Sequence, residues 1–543
     1  MEKKWVVKER GDQVLVRRMA EALNVPESLA NLMVQRGIVT PAEADAFFHP
    51  ALDNLHDPFL MKGMNVAVDR ISSAIGRKEK ILVYGDYDVD GTTAVAMIYT
   101  FLRQFSPNVI YYIPDRYKEG YGVSVEGIDF AAENNCRLVI TLDCGIKATQ
   151  KVEYARSKGL DVIICDHHYP GDEIPNAVAV LDPKQPGCSY PYKELSGCGV
   201  GFKLIQAYSR VHGIPFVEIA HFLDLVAVSI ASDIVPITGE NRILTHFGLK
   251  QLNSSPRIGL REIIRESEAT RELSVEDVVF KIGPRINAAG RMETGSRVVS
   301  LLIADDPRLA AEISRLISGY NNERRSVDRI ITTEAMRMIS DDPRLANART
   351  TVLYNPEWRK GVIGIVASRL IEIYYRPTVI LTESNGFATG SARSVQGYDL
   401  YQAIEACSDL LESFGGHMYA AGLTLKKENI ERFRERFEEH VSKTITDDQM
   451  IPHIFIDSEL RLDEINEDFY KVINLFQPFG PENMSPVFMA SGVFDTGSGR
   501  MVGATGEHLK LELSQGSPGA DPLQAIAFGQ ANHFEYIRSG KPF

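Results

Sequence analysis

Four short segments of this chain place acids or imidazoles where an apolar run ends. The first is VYGDYDVDG, Val83–Gly91. In an extended chain the period of two puts Asp86, Asp88 and Asp90 on one side, where three like charges repel unless a cation or protons neutralise them. A calcium loop would need a bidentate Glu six residues after Gly91, and Met97 stands there. A solvated turn is the bland alternative. The second segment, TLDCG, ends its apolar run at Asp143 and Gly145. The third, Cys165-Asp166-His167-His168, sets two adjacent imidazoles beside an acid. In the fourth, SIASDIVP, Asp233 interrupts an apolar run. A carboxylate buried there needs a metal, a helix cap or an ion pair.

Carboxylates with imidazoles suit Mn²⁺, with Mg²⁺ possible, better than a thiolate-preferring ion. One Asp bridging two such ions would activate water and stabilise an in-line phosphoryl displacement. Metal-assisted phosphoester hydrolysis is the reaction class that fits. The six cysteines are too few and too irregularly spaced for a disulfide framework or zinc ribbon. Cys144 and Cys165, beside the acids, read as small packing groups.

The elements needed to position these groups are legible in the pattern. Apolar runs at 81–84, 109–113, 138–142 and 161–165 alternate with helix-length stretches, which predicts a βαβ series and a buried parallel sheet. Ligands of such sheets bind outside the carboxyl ends of the strands, where Asp86, Asp143 and Asp166 fall. Residues 200–275 read as mostly helical, and 308–340 as one long Arg-rich helix whose NNERR stretch (321–325) is a solvated face, with contact to a bound strand as the alternative. A second α/β unit follows, from TTVLY to GSARS. Short alternating segments separated by Gly and Pro close the chain, predicting a small β-barrel. The expected divisions are an N-terminal segment 1–50, a catalytic domain 51–305, a connecting helix 306–342, a second domain 343–445 and a barrel 446–543.

The chain has 543 residues, 44% apolar and 24% charged, and is globular in composition. No apolar run is long enough for a membrane span, and the N-terminus lacks the apolar core of a secretory signal. A reduced, cytoplasmic enzyme is expected. The formal charge of −13 argues against a nucleic-acid partner. By segment the balance differs: 257–376 holds 20 basic and 17 acidic residues, whereas 446–543 holds 6 and 14.

GDYDVDG, TLDCG, DHH and ASDIVP, in that order, resemble the motifs of the DHH phosphoesterase superfamily. PRINAAGRM, GVIGIVASRL, GSARS and FGGHMYAAGLTL extend the resemblance into the associated DHHA1-like domain. With the β-rich, OB-like tail added, the chain is similar to the RecJ-like exonucleases. The resemblance implies a metal-dependent 5′→3′ exonuclease hydrolysing single-stranded DNA to mononucleotides in repair and recombination. Asp86, Asp88, Asp143, His167 and Asp233 match the ligands of a two-metal site, with Asp143 as the bridge. His168 matches the imidazole facing the leaving oxygen, Asp166 a group orienting its neighbours, and Asp90 a structural or outer residue. Arg116, Arg285, Asn287, Arg291, Ser391, Arg393 and His417 match groups handling phosphate and the strand's 5′ end.

The resemblance also implies work as a monomer alongside single-strand-binding protein and a helicase, with no membrane. Arg500, Lys510 and the tail aromatics are candidates for a local strand-binding face despite the acidic balance. Two alternatives remain: a phosphoesterase for short oligonucleotides or cyclic dinucleotides, and a scaffold that keeps the fold without activity.

Overall fold

The computed structural model describes residues 3–516 and 522–543. Two units separate, Leu52–Pro452 and a second built from Lys4–Ala51 with His453–Phe543.

The first unit begins with five parallel strands: β1 (Lys80–Gly85), β2 (Val109–Tyr112), β3 (Cys136–Leu142), β4 (Asp161–Cys165) and β5 (Ala179–Leu181). Their order is β2-β1-β3-β4-β5. KILVYG and CRLVITL are near-continuous apolar runs because both faces of the sheet are covered, and Val83, Ile140 and Ile163 are fully buried. The register pairs Gly85 with Leu142, Leu142 with Cys165 and Cys165 with Leu181. The next residue on each strand is an aspartate, so Asp86, Asp143, Asp166 and Asp182 end four neighbouring strands at one level. Strand β5 has no counterpart among the predicted apolar runs.

Helix α1 (Val89–Arg103) follows β1, and the Asp88 side chain caps it by accepting from Gly91 N at 3.0 Å. Helices α2 (Gly197–Val211) and α3 (Leu223–Ser232) pack over α1. After α4 (Gly283–Met292), the 35-residue α5 (Pro307–Asp341) runs to the second lobe, with Asp306 as its cap. Its buried stripe includes Ala310, Ile317, Ile331, Ala335 and Ile339 at helical spacing. Asn321, Arg324 and Asp328 lie in the same stripe. This corrects the solvated-face reading of 321–325, which holds only for the exposed Asn322, Glu323 and Arg325.

The second lobe is a five-stranded sheet of β6 (Thr351–Tyr354), β7 (Thr378–Ser384), β8 (Phe387–Arg393), β9 (Leu411–His417) and β10 (Ala420–Leu425), in the order β9-β10-β8-β7-β6. Only β6 and β7 are parallel, joined by α6 (Ile363–Tyr374). Arg376 donates to Leu345 O, beyond the end of α5, at 2.8 Å and to Thr351 Oγ1 of β6 at 2.8 Å, and so ties the lobe to the segment that leads into it.

In the second unit the strand Lys4–Val7 pairs in parallel with His453–Ile456. Phe476 is fully buried between Phe47 and Phe48, with ring centroids 5.7 and 5.1 Å away. Residues 4–51 thus share a core with the C-terminal segment; helices this short cannot bury their apolar faces alone. The tail contains a four-stranded sheet of Val493–Asp495, Arg500–Val502, His508–Gln515 and Leu523–Ala527. Helices Glu467–Leu475 and Phe534–Arg538 interrupt the expected run of strands. Arg500 and Lys510 are cross-strand partners. Among the described residues, no helix is long and apolar enough to cross a membrane.

Candidate active site

The row of strand-end aspartates is completed by His167 from beyond β4 and Asp233 from the end of α3. His167 Nε2 lies 3.2 Å from Asp143 Oδ1, 3.5 Å from Asp233 Oδ2 and 3.6 Å from Asp90 Oδ2. Asp143, His167 and His168 form one group whose donor atoms could hold a cation, and Asp90, His167 and Asp233 form another. The backbone is bent to present them. Asp143 takes φ 59°, a left-handed conformation that Asp tolerates. Ile234, just after Asp233, takes φ 59°, where a β-branched residue is strained. Gly197 is required because a Cβ there would sit 2.7 Å from Asp143 Cβ.

The electrostatics are those of uncompensated like charges. Burial and neighbouring carboxylates push Asp143, Asp86 and Asp233 well above the ordinary range, and Asp88 upward. Asp86 Oδ2 and His167 Nδ1 are buried without a hydrogen-bond partner. Orphaned buried acceptors among clustered carboxylates are the donor set of a divalent cation with oxygen and imidazole preference. The residues fit Mn²⁺ or Mg²⁺.

Asp90, as buried as Asp86 and Asp143, differs from them in its hydrogen bonds. It accepts from Gly197 N at 2.6 Å, Cys198 N at 2.7 Å and Ser229 Oγ at 2.6 Å, and so ties α1 to α2 and α3. Asp166 accepts from Ile146 N, His167 N and His168 Nδ1 at 2.9, 2.8 and 2.7 Å. Burial would raise its pKa, but the His168 contact and these donors hold it at about 2. Burial lowers His168 and Asp166 outweighs it, so the imidazole is raised. With Nδ1 committed to Asp166, the Nε2 edge faces the Tyr121 hydroxyl at 3.1 Å. Tyr121, which also donates to Asp143 O at 3.3 Å, is absent from the sequence-derived candidates because its loop has no periodicity.

A second cluster is cationic. Burial, with Arg116, Arg324 and Arg393 nearby, brings Arg291 down to about 10. Arg393 and Arg324 are lowered too, both chiefly by burial. Arg324 Nε and Asn321 Nδ2 are buried donors with no partner. Arg393 donates to Ser391 Oγ at 3.0 Å, and the first turn of α6 packs on both; a Cβ at Gly364 would sit 2.8 Å from Ser391 Oγ. Guanidinium donors beside a helix N-terminus suit a phosphate. Arg116 stacks 4.7 Å over the ring of Tyr87, which stands between Asp86 and Asp88 in sequence, and so joins the cationic cluster to the acidic one. Arg291 Nη1 donates to Gly361 O of the second lobe at 2.7 Å.

Arg285, Asn287 and His417 are placed as follows. Arg285 is engaged with Lys281 O at 2.6 Å and Glu266 O at 2.9 Å, a clamp on backbone carbonyls. Asn287 is half-buried on α4. His417 is exposed at the β9–β10 turn, its ring accepting from Tyr419 N at 3.2 Å.

Asp182 adds a fourth acid to the row. Burial, opposed by Lys184 N at 2.7 Å and aided by Asp166, raises it to about 7. A carboxyl raised in the fold stabilises below its unfolded pKa of about 4 and loses that contribution as pH rises through the folded value. Asp182→Asn should therefore melt higher than the parent at pH 8 and no higher at pH 4, measured by thermal unfolding in both buffers. Equal shifts at the two pH values would refute the assignment.

The DHH family N-terminal domain model matches residues 80–230, the DHHA1 domain model 347–443 and the RecJ OB domain model 456–543. The chain is 38% identical to the single-stranded-DNA-specific exonuclease RecJ of Bacillus subtilis (strain 168), covering 99% of this chain and 67% of that protein. It is 31% identical to RecJ of Escherichia coli (strain K12), over 93% of this chain and 89% of that one. The crystal structure of RecJ in complex with Mn²⁺ from Thermus thermophilus superposes with a TM-score of 0.81 at 26% identity, covering 97% of this chain and 78% of that chain.

Proposed function

Since this chain belongs to the RecJ family of single-stranded-DNA-specific exonucleases, we propose that it is a metal-dependent exonuclease acting on single-stranded DNA from a 5′ end and releasing mononucleotides. The observation that carries this reading is the junction of the two clusters at Tyr87: Arg116 lies over its ring while Asp86 and Asp88 flank it. A terminal phosphate held by arginine there leaves the next phosphodiester beside the acids.

Asp86, Asp88, Asp143, His167 and Asp233 would hold one or two Mn²⁺ or Mg²⁺ ions. Bound there, the ions supply Lewis acidity to the phosphoryl oxygens and an activated water. The chain's own groups do the rest. Arg116, Arg291, Arg324 and Arg393, with Ser391, bind the terminal phosphate and set the distance to the scissile bond. His168, protonated and oriented by Asp166, holds a proton at Nε2 for the leaving oxygen. Four buried or half-buried guanidiniums answer the objection raised by the net charge of −13, because local charge and not the total governs the strand.

The retained ligands disfavour an inactive scaffold. Action in the cytoplasm, as a monomer in repair and recombination with a helicase and single-strand-binding protein, completes the reading. Incubating strands of about 30 nucleotides, labelled at either end, with Mn²⁺ or Mg²⁺ tests it. A 5′ label should appear at once as mononucleotide while a 3′ label passes through a ladder. Turnover of dinucleotides with no ladder would replace this reading by that of a small-substrate phosphoesterase.

A further inference from the structure

Arg116 and Tyr121 both lie on the loop Asp115–Ser124, and neither belongs to a regular element that would hold it. Gly120 and Gly122 take φ 85° and 86°, and a Cβ on either would meet nothing within 4 Å, so the loop is not fixed by packing at its apex. Two acids close it, Asp115 locally, with Oδ1 accepting from Tyr117 N at 2.8 Å and Lys118 N at 3.0 Å, and Glu119 from end to end. Glu119 Oε1 accepts from Asp115 N at 2.7 Å, and its Oε2 accepts from Ser124 Oγ at 2.6 Å and Tyr112 OH at 3.0 Å. The first bond reinforces the turn containing Arg116, which Glu119 N also closes by donating to Asp115 O at 2.9 Å, and the other two fasten the loop to its far end and to β2.

The same network reaches the acids. Tyr84 OH, from inside β1, donates to Gly122 O at 2.8 Å and accepts from Ser124 N at 3.1 Å, while Gly122 N donates to Asp86 Oδ1 at 3.5 Å. Tyr117 adds a bond to Arg291 O. We propose that Glu119 is a positioning residue, the pin that holds the Asp115–Ser124 loop so that Arg116 meets the terminal phosphate and the Tyr121 hydroxyl meets His168. It touches neither substrate nor metal ligand. The proposal deepens the exonuclease reading and rests on it. The energetic logic is pre-organisation: a loop ordered before the strand arrives spares that cost on binding.

The test compares Glu119→Ala and Glu119→Gln with the parent as full-length, Mn²⁺-loaded protein. Two readouts are taken: the rate of tryptic cleavage at the Arg116–Tyr117 bond, and kcat/KM on 5′-phosphorylated and 5′-hydroxyl strands. In Glu119→Ala the loop should be nicked faster, and kcat/KM should fall by up to about 100-fold, the scale of a misplaced binding group. The fall should lie mainly in KM and be larger for the phosphorylated strand. Glu119→Gln, which keeps an acceptor oxygen, should recover most of both. Unchanged nicking, or faster nicking with parental kcat/KM, overturns the proposal. If the alanine variant does not fold, Tyr112→Phe, which removes one of the three donors, is read by the same criteria. A parent that degrades no strand would sink the exonuclease reading, while the nicking contrast would still decide whether Glu119 pins the loop.

Discussion

Asp143→Asn is expected to abolish strand hydrolysis while leaving a folded protein that still binds a strand. Asp143 ends β3 in the middle of the acid row and lies 3.2 Å from His167 Nε2. Its removal takes the central carboxylate from the acid row that would hold the ions. Metal-assisted displacement draws several kcal/mol of transition-state stabilisation from its ions, so the loss in kcat should be at least about 10³-fold. Asparagine is the appropriate replacement because it tolerates the left-handed φ of 59° at this position. The stability effect has the opposite sign. Burial, with Asp90 and Asp88, holds the Asp143 carboxyl well above its ordinary range, so in chelator its contribution is lost as pH rises from about 4 through the folded value. The amide has no such loss. The variant should therefore melt at or above the parent in chelator at pH 8, and gain less than the parent on adding Mn²⁺. Mononucleotide release by a clean preparation of the variant would overturn the assignment of the ligands.

How much of this site was legible in the sequence depended on how local its signals are. Asp86, Asp143, Asp166 and His167 each follow an apolar run, so period and residue type located them together. Asp182 occupies the same level, but its strand has three residues and no alternation, and only the Cys165–Leu181 register reveals it. Arg324 and Asn321 read as solvent-facing because a helix interior normally excludes them; buried, Arg324 is supported by the charge of Asp328 and donates to Asn321 Oδ1 at 3.0 Å. Arg285 and Arg291 could not be told apart by motif alone. PRINAAGRM offers Arg285 and Arg291 equally, and backbone carbonyls at Lys281 and Glu266 claim the first. The pairing of Lys4–Val7 with His453–Ile456 spans most of the chain and leaves no local signature at all.

Arg291→Met should weaken strand use as strongly as any change outside the acids. Burial and three neighbouring guanidiniums oppose the Arg291 charge, lowering it to about 10, and that arrangement is favourable only once an anion enters. A hydrogen bond to a charged group contributes about 1.5–3 kcal/mol, so kcat/KM on a 5′-phosphorylated strand should fall roughly 10- to 100-fold. A 5′-hydroxyl strand, which never fills the pocket, should lose much less. The same charges give a readout independent of turnover. Inorganic phosphate should raise the melting temperature of the parent by binding the folded state, and do so less as salt screens the exposed part of the cluster. Methionine keeps the aliphatic volume but loses both the charge and the bond to Gly361 O, so phosphate should raise the variant's melting temperature less than the parent's. Equal loss on phosphorylated and hydroxyl ends would show that Arg291 acts by joining the lobes through Gly361, and not by holding the strand's terminal phosphate.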